Sequence, residues 1–188
     1  MVNKKEKVVV YIDGNNLRHR LMESQVRLER NKIFDYNKFV DFLVDKRTCV
    51  SKRYYVGIVR NIDNSKKSKE LVSNQQKFLE LLKKNKFVIK PGRIVYDSGK
   101  IREKGVDVKI AVDLVVGAFE NHYDTAILVS SDTDLIPALK YVRHKKKKIE
   151  YVGFSHSPSH GLTMRLSGHI IRPTSLSLGL NRLMYYTK

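Results

Sequence analysis

The chain has 188 residues, 41% of them hydrophobic, with 37 Lys+Arg against 19 Asp+Glu and a formal net charge of +18. This length and apolar share fit one domain with its own core and exclude a disordered chain. The charge points to nucleic acid ahead of an anionic membrane surface, because no basic amphipathic helix stands out, with a merely basic protein from a basic proteome as the third reading. A single cysteine, Cys49, excludes an internal disulfide and a thiolate metal cluster, and suits a reducing compartment.

Residues 1–7, "MVNKKEK", read as a basic N-terminal segment with no apolar stretch of the secretory kind. Val8 to Ile12 is β-branched and aromatic, a buried strand, and a helix is expected from Asn15 or Asn16 through Met22. "DYNKFVDFLV" predicts a second helix capped by Asp35, and "RYYVGIV" (Arg53–Val59) a second strand with one of its two tyrosines in the core. After the polar "NIDNSKKSKE", a helix carries Leu71, Phe78 and Leu82 on one face. "KFVIKPGRIVYD" reads as two short strands broken at Pro91-Gly92, and "SGKIREKG" as a cation-rich loop.

Val106 to Phe119 is a helix with Ile110, Ala111, Leu114 and Ala118 as its stripe. "DTAILVS" is a continuous apolar strand of the parallel-sheet kind. A helix follows it, with Pro137 in its first turns, and then the strand "IEYVGF". Beyond Ser155 the pattern weakens to a short helix in "PSHGLTMRLSG", a strand at "HIIR" and a terminal helical turn or tail in "LNRLMYY". Strands alternating with helices predict an α/β fold: a doubly wound, mainly parallel sheet with helices on both faces. Residues 8–154 form the main domain, and 155–188 an extension packed on it or continuing it. The apolar stretches are short, and "IAVDLVVGAF" is interrupted by Asp113, so no membrane span is expected and the protein is read as cytoplasmic.

In open parallel sheets the working groups gather beyond the carboxyl ends of the strands. Asp13 ends the first strand, and Asp132 and Asp134 follow "AILVSS". Asp107 opens a helix three, four and seven positions before Ile110, Ala111 and Leu114, which places it at the head of the buried face. Each has an ordinary reading as well: Asp132 as a helix cap, Asp13-Gly14 as a turn, Asp107 as a partner of the helix dipole. Their conjunction at one sheet edge is the unusual feature. Two unit charges about 4 Å apart repel by roughly 4 kcal/mol at an effective dielectric near 20. Four ionised carboxylates together therefore require a cation, and hard oxygen donors without His or Cys select Mg²⁺ or Mn²⁺. A divalent ion inside a basic protein points to phosphodiester chemistry. The six histidines show no ligand spacing.

The blocks "YIDGNNL", "KGVDVKIAVDL" and "AILVSSDTDLIPAL", in that order, resemble the signature blocks of the NYN domain, a branch of the PIN-like nuclease superfamily. The resemblance runs from about Val8 to Phe154. It implies a parallel-sheet α/β nuclease domain with an acidic metal centre formed by Asp13, Asp107, Asp132 and Asp134. It further implies an assisting role for Asn16, and a basic position before the helix block at Lys104. Leu135 replaces the usual aromatic after the last Asp, and Gly168-His169 stands where an acidic residue is common.

Arg18 and Arg20 follow Asp13, and Lys100, Arg102 and Lys104 precede Asp107, so these five are the candidate contacts to an RNA backbone. The expected activity is that of a metal-dependent ribonuclease. Two Mg²⁺ or Mn²⁺ ions would serve in-line hydrolysis of single-stranded or structured RNA, leaving a 5′-phosphate and a 3′-hydroxyl. The alternative is a non-catalytic RNA-binding module with the same fold. A metal-dependent phosphatase is disfavoured because "DGN" offers Asn15 where such enzymes present a second Asp. The oligomeric state, a homo-oligomer included, is left open.

Overall fold

β1 (Lys7–Asp13) lies at the centre of an eight-stranded sheet, and its burial explains its composition: Val8 to Asp13 are all buried. The structure is a computed structural model that describes residues 5–23, 34–61, 63–97, 100–154, 159, 162, 167–171 and 186–187. The remaining elements are α1 (Gly14–Glu23), α2 (Tyr36–Val44), β2 (Thr48–Ile58), α3 (Lys66–Lys84), β3 (Val88–Asp97), β4 (Lys100–Lys104), α4 (Val106–Phe119), β5 (Thr125–Val129), α5 (Ile136–His144), β6 (Lys148–Phe154), β7 (Ser167–Ile171) and β8 (Tyr186–Thr187). A 3₁₀ turn, Thr133–Leu135, leads into α5.

The strand order is β4-β3-β2-β1-β5-β6-β7-β8. The six strands from β3 to β7 run parallel, and β4 and β8 close the two edges antiparallel. Side chains of β1 alternate between two cores. Val8, Val10 and Ile12 join Leu17, Phe39, Leu43 and Leu82, contributed by α1, α2 and α3. Val9 and Tyr11 join Ile110, Leu114, Leu139 and Val142, contributed by α4 and α5. The mainly parallel α/β architecture expected from the alternation of elements is therefore present.

Local signals explain two of the helix starts. Asp35 caps α2, its Oδ1 accepting the N–H groups of Asn37 and Lys38 at 3.0 Å. Gly105 precedes α4 at φ +77°, a left-handed conformation that lets the chain pass from β4 straight into the helix.

Several expectations are corrected. β2 begins at Thr48, ahead of Arg53. Both Tyr54 and Tyr55 are buried, one in each core, because β2 is covered on both faces. Leu71 is exposed, and α3 packs through Phe78, Leu79 and Leu82 instead. Pro91-Gly92 does not break β3: residues 88–93 pair with β2, while β4 joins the other side only from Arg93 onward. Pro91 thus sits where β3 is the sheet edge, the position that tolerates a missing donor. "KIREK" is a strand of the resulting hairpin and not a loop. Tyr186 lies in β8, neither a helical turn nor a tail, and of the helix expected in "PSHGLTMRLSG" the last two residues, Ser167 and Gly168, belong to β7, while most of the rest lies outside the described residues.

Candidate metal centre

Asp13 ends β1 at the point where the strand order passes from β2 on one side to β5 on the other, the usual crevice of a parallel sheet. It is 5% exposed. One oxygen, Oδ1, accepts the Asn16 N–H at 2.9 Å, so Asp13 itself caps α1, where a turn at Asp13-Gly14 was the ordinary reading. Oδ2 accepts the Ser130 hydroxyl at 3.2 Å. A carboxylate has about four lone-pair sites, so these two bonds leave acceptor capacity. Burial pushes the Asp13 carboxyl up to about 6, and the charges of Asp107 and Glu103 add to the rise, against the opposing Asn16 and Ser130 bonds. Gly14 permits the tight entry into α1, since a Cβ there would lie 2.5 Å from the Tyr54 ring.

Asn16 acts as a tie. Its Nδ2 donates to Ser131 Oγ at 2.9 Å, and its Oδ1 accepts the Ser131 N–H at 3.2 Å. Arg20 Nη2 donates to the same Ser131 hydroxyl at 3.0 Å, so this residue, expected to face phosphate, also braces the segment after β5. Ser130 completes the brace: its hydroxyl accepts the Asp132 N–H at 3.2 Å while donating to Asp13. Asp132 in turn caps the 3₁₀ turn, its Oδ1 accepting the Asp134 N–H at 2.8 Å.

Asp107 stands in the first turn of α4, but Val106 heads the buried stripe and Asp107 itself is exposed. The inward orientation expected from the helical period is therefore corrected by about one position. Its carboxyl is nevertheless raised, by partial burial first, then by the charges of Asp132 and Asp134. These effects link Asp13, Asp107, Asp132 and Asp134 electrostatically at one end of the sheet. Asp113, by contrast, faces elsewhere. It accepts the Tyr55 hydroxyl at 2.7 Å and pairs with Lys90 at 2.9 Å and Arg53 at 3.3 Å. Burial works to raise its carboxyl, but these partners prevail and lower it.

Glu103 is the residue that sequence reasoning missed. It accepts the Gly57 N–H and a hydrogen bond from the Asn15 side chain. Its own carboxyl is raised by burial and by Asp107. A Cβ on Gly57 would stand 2.7 Å from Glu103 Oε1, so the bare glycine makes room for the carboxylate. That glycine inside "YYVGIV" was the available signal, because an isolated strand glycine often marks a close approach. Ser130 was the second omission.

The donor set fits a hard divalent cation: carboxylates and hydroxyls, with mutual repulsion that a cation would relieve. Among the described residues, no three His, Cys, Asp or Glu side chains stand close enough together to hold an ion in common. Asp107 and Asp134 lie at the surface. Of the candidate RNA contacts, Arg18, Arg102 and Lys104 are exposed. The Lys100 backbone begins β4, and its side chain lies outside the described residues.

Residues 7–170 match the family model described as the NYN domain. The match extends past Phe154 and includes most of β7. No curated protein matches the chain. Among solved structures, a protein of unknown function from Vibrio parahaemolyticus is similar at a TM-score of 0.67 and 21% identity, covering 92% of this chain and 95% of that one. At that identity the likeness speaks for the fold. No helix among the described residues is long and apolar enough to cross a membrane.

Proposed function

Because the chain belongs to the NYN domain family, within the PIN-like nuclease superfamily, we propose that it is a metal-dependent ribonuclease hydrolysing RNA phosphodiester bonds. Nucleic acid is the substrate class that the nuclease family implies. One observation carries the reading: Asp13 is buried at the strand-order crossover, and its carboxyl is raised to about 6 with Asp107 and Glu103 contributing. A marginally stable protein keeps such a group where its charge is used.

Asp13, Asp107, Asp132 and Asp134 would hold Mg²⁺ or Mn²⁺, with Glu103 beside them. When bound, the ion supplies activation of the attacking water and charge stabilisation at the leaving oxygen, giving a 5′-phosphate and a 3′-hydroxyl. Asn16 and Ser130 fix the Asp13 carboxylate through its two oxygens, directly from the Asn16 backbone and from the Ser130 hydroxyl. Asn16 and Arg20 together hold Ser131, and so the segment that carries Asp132. Arg18, Lys100, Arg102 and Lys104 would grip phosphates of a single-stranded or structured RNA, positioning it without reading bases. Arg20, which also holds Ser131, belongs to the same candidate set. We further infer a doubly wound chain, supported by the two cores on opposite faces of β1. The 155–188 extension continues the domain in this reading, since β7 pairs with β6, and the protein acts in the cytoplasm.

The test is incubation of the purified protein with labelled single-stranded RNA in Mn²⁺, then in EDTA. Cleavage that requires the metal and stops on chelation is expected. Tight binding of varied RNAs without cleavage in either Mg²⁺ or Mn²⁺ would replace the ribonuclease with a non-catalytic RNA-binding module.

A further inference from the structure

α4 is apolar on more sides than the sheet covers. Val106, Ile110, Leu114, Gly117 and Ala118 are buried. A second set, Val108, Val112, Val116 and Phe119, remains 66%, 53%, 41% and 62% exposed. Steps of four, four and three residues align this set in one stripe along the outer face of the helix. Neighbouring α5 exposes Tyr141 to 66% as well. A helix resting one face on a sheet ordinarily turns polar residues outward, and a contiguous exposed apolar patch marks an interaction surface.

We propose that this stripe is a two-fold interface with a second copy of the chain, the two α4 helices lying antiparallel. The stripe is self-complementary about its middle. Antiparallel pairing sets Val112 against Val116 of the partner subunit, and by symmetry Val116 against Val112 of the partner subunit. The charges at its ends agree. By the 3.6-residue period, Lys109 and Glu120 lie on the same flank of the stripe, one near each end. Antiparallel helices bring like flanks together, so Lys109 meets Glu120 of the partner subunit, twice in the dimer. Within the chain, Lys109 Nζ donates to the Pro91 carbonyl and Glu120 pairs with His122 at 2.9 Å. Both contacts are at the surface, and an ammonium has three donors, so neither prevents the second pairing. Phe119 already carries the Lys145 ammonium 3.6 Å from its ring centroid, which leaves its other face to the interface. A stable interface buries at least about 1,200 Å² in total, so residues flanking the stripe, Tyr141 among them, belong to it. The net charge of +18 on each copy opposes association, and salt screens that repulsion. The proposal does not depend on the ribonuclease reading.

Sedimentation equilibrium of the full chain at moderately high salt tests it. A reversible monomer–dimer equilibrium is expected. Val112→Asp with Val116→Asp should weaken the dimer by about a hundredfold by placing carboxylates in the apolar seam. The melting temperature should stay near that of the parent, because both positions are exposed. Lys109→Glu alone should weaken the dimer by about tenfold, and adding Glu120→Lys should restore it, since the pair is then reversed and not removed. A chain that is monomeric throughout overturns the proposal, whether another segment or another protein then covers the stripe. So does a dimer indifferent to the Val112 and Val116 changes, or a charge reversal that rescues nothing.

Discussion

One oxygen of Asp13 takes a backbone N–H and the other a hydroxyl, yet burial outweighs both and the carboxyl rises from 3.8 to about 6. Between those values the folded protein holds a proton that the unfolded chain has released. Stability from this group is therefore fully present below about pH 4 and is lost as pH rises through about 6. The difference is worth roughly 3 kcal/mol. In EDTA, Asp13→Asn removes the titration, so the stability of the variant relative to the parent should climb by up to that amount between pH 4 and pH 7. Urea melts that stay parallel across this range would contradict the electrostatic account of the site. Gly57 gives a second expectation, because a Cβ there would meet Ile94 Cδ1 at 2.5 Å and Glu103 Oε1 at 2.7 Å. Gly57→Ala should cost about 1–3 kcal/mol, measured as a lowered melting temperature. An unshifted melt would mean that Glu103 is not held over that strand.

At the scale of elements, the β3–β4 hairpin shows what the chain conceals from a linear reading. Arg93 faces Lys104 across the hairpin and Val95 faces Arg102, and all four are exposed. On the opposite face, Ile94 pairs with Glu103. The cation-rich run is therefore sorted by a two-residue period, cations outward on one face and one carboxylate toward Asp107 and the candidate metal centre. Directly opposed Arg93 and Lys104 repel each other, and a bound phosphate would relieve that. Changing Arg93, Arg102 and Lys104 to Ala should flatten the dependence of log affinity for single-stranded RNA on log salt by about two units. An unchanged slope would move the binding surface elsewhere, the next candidate being the lysine run Lys145–Lys148 that leads from the end of α5 into β6. Elements with their own local signals were legible in advance: α4 runs from Val106 to Phe119 as its periodicity predicts, and Asp35 caps α2. β4 and the continuity of β3 were not, because they depend on which neighbour each strand finds and on which side. Asp13, Asp132 and Asp134 were singled out from their positions after strands and Asp107 from its place at a helix start, where the helical period misjudged its orientation. Glu103 and Ser130 were not, since only the register of β4 and the fold of the segment after β5 bring them to Asp13.

At the scale of the whole molecule, a chain of net charge +18 couples Asp107 electrostatically to Asp13, Glu103, Asp132 and Asp134 at one end of its sheet. Repulsion there is a standing cost that a bound divalent ion would relieve. At about 100 times its Kd, such an ion should add roughly 2.7 kcal/mol to stability. Melting curves that coincide in excess Mn²⁺ and in EDTA would count against the centre. The most direct measurement is single-turnover cleavage of one RNA in saturating Mn²⁺ by the parent, Asp13→Asn, Asp132→Asn and the double variant. RNA affinity and folding are followed alongside. If both carboxylates serve one metal centre, each single change should lower the rate by several orders of magnitude with RNA affinity unchanged or slightly higher. The double change should cost little more than either alone. Losses that multiply, or a single variant that still cuts near the parent rate, would contradict it.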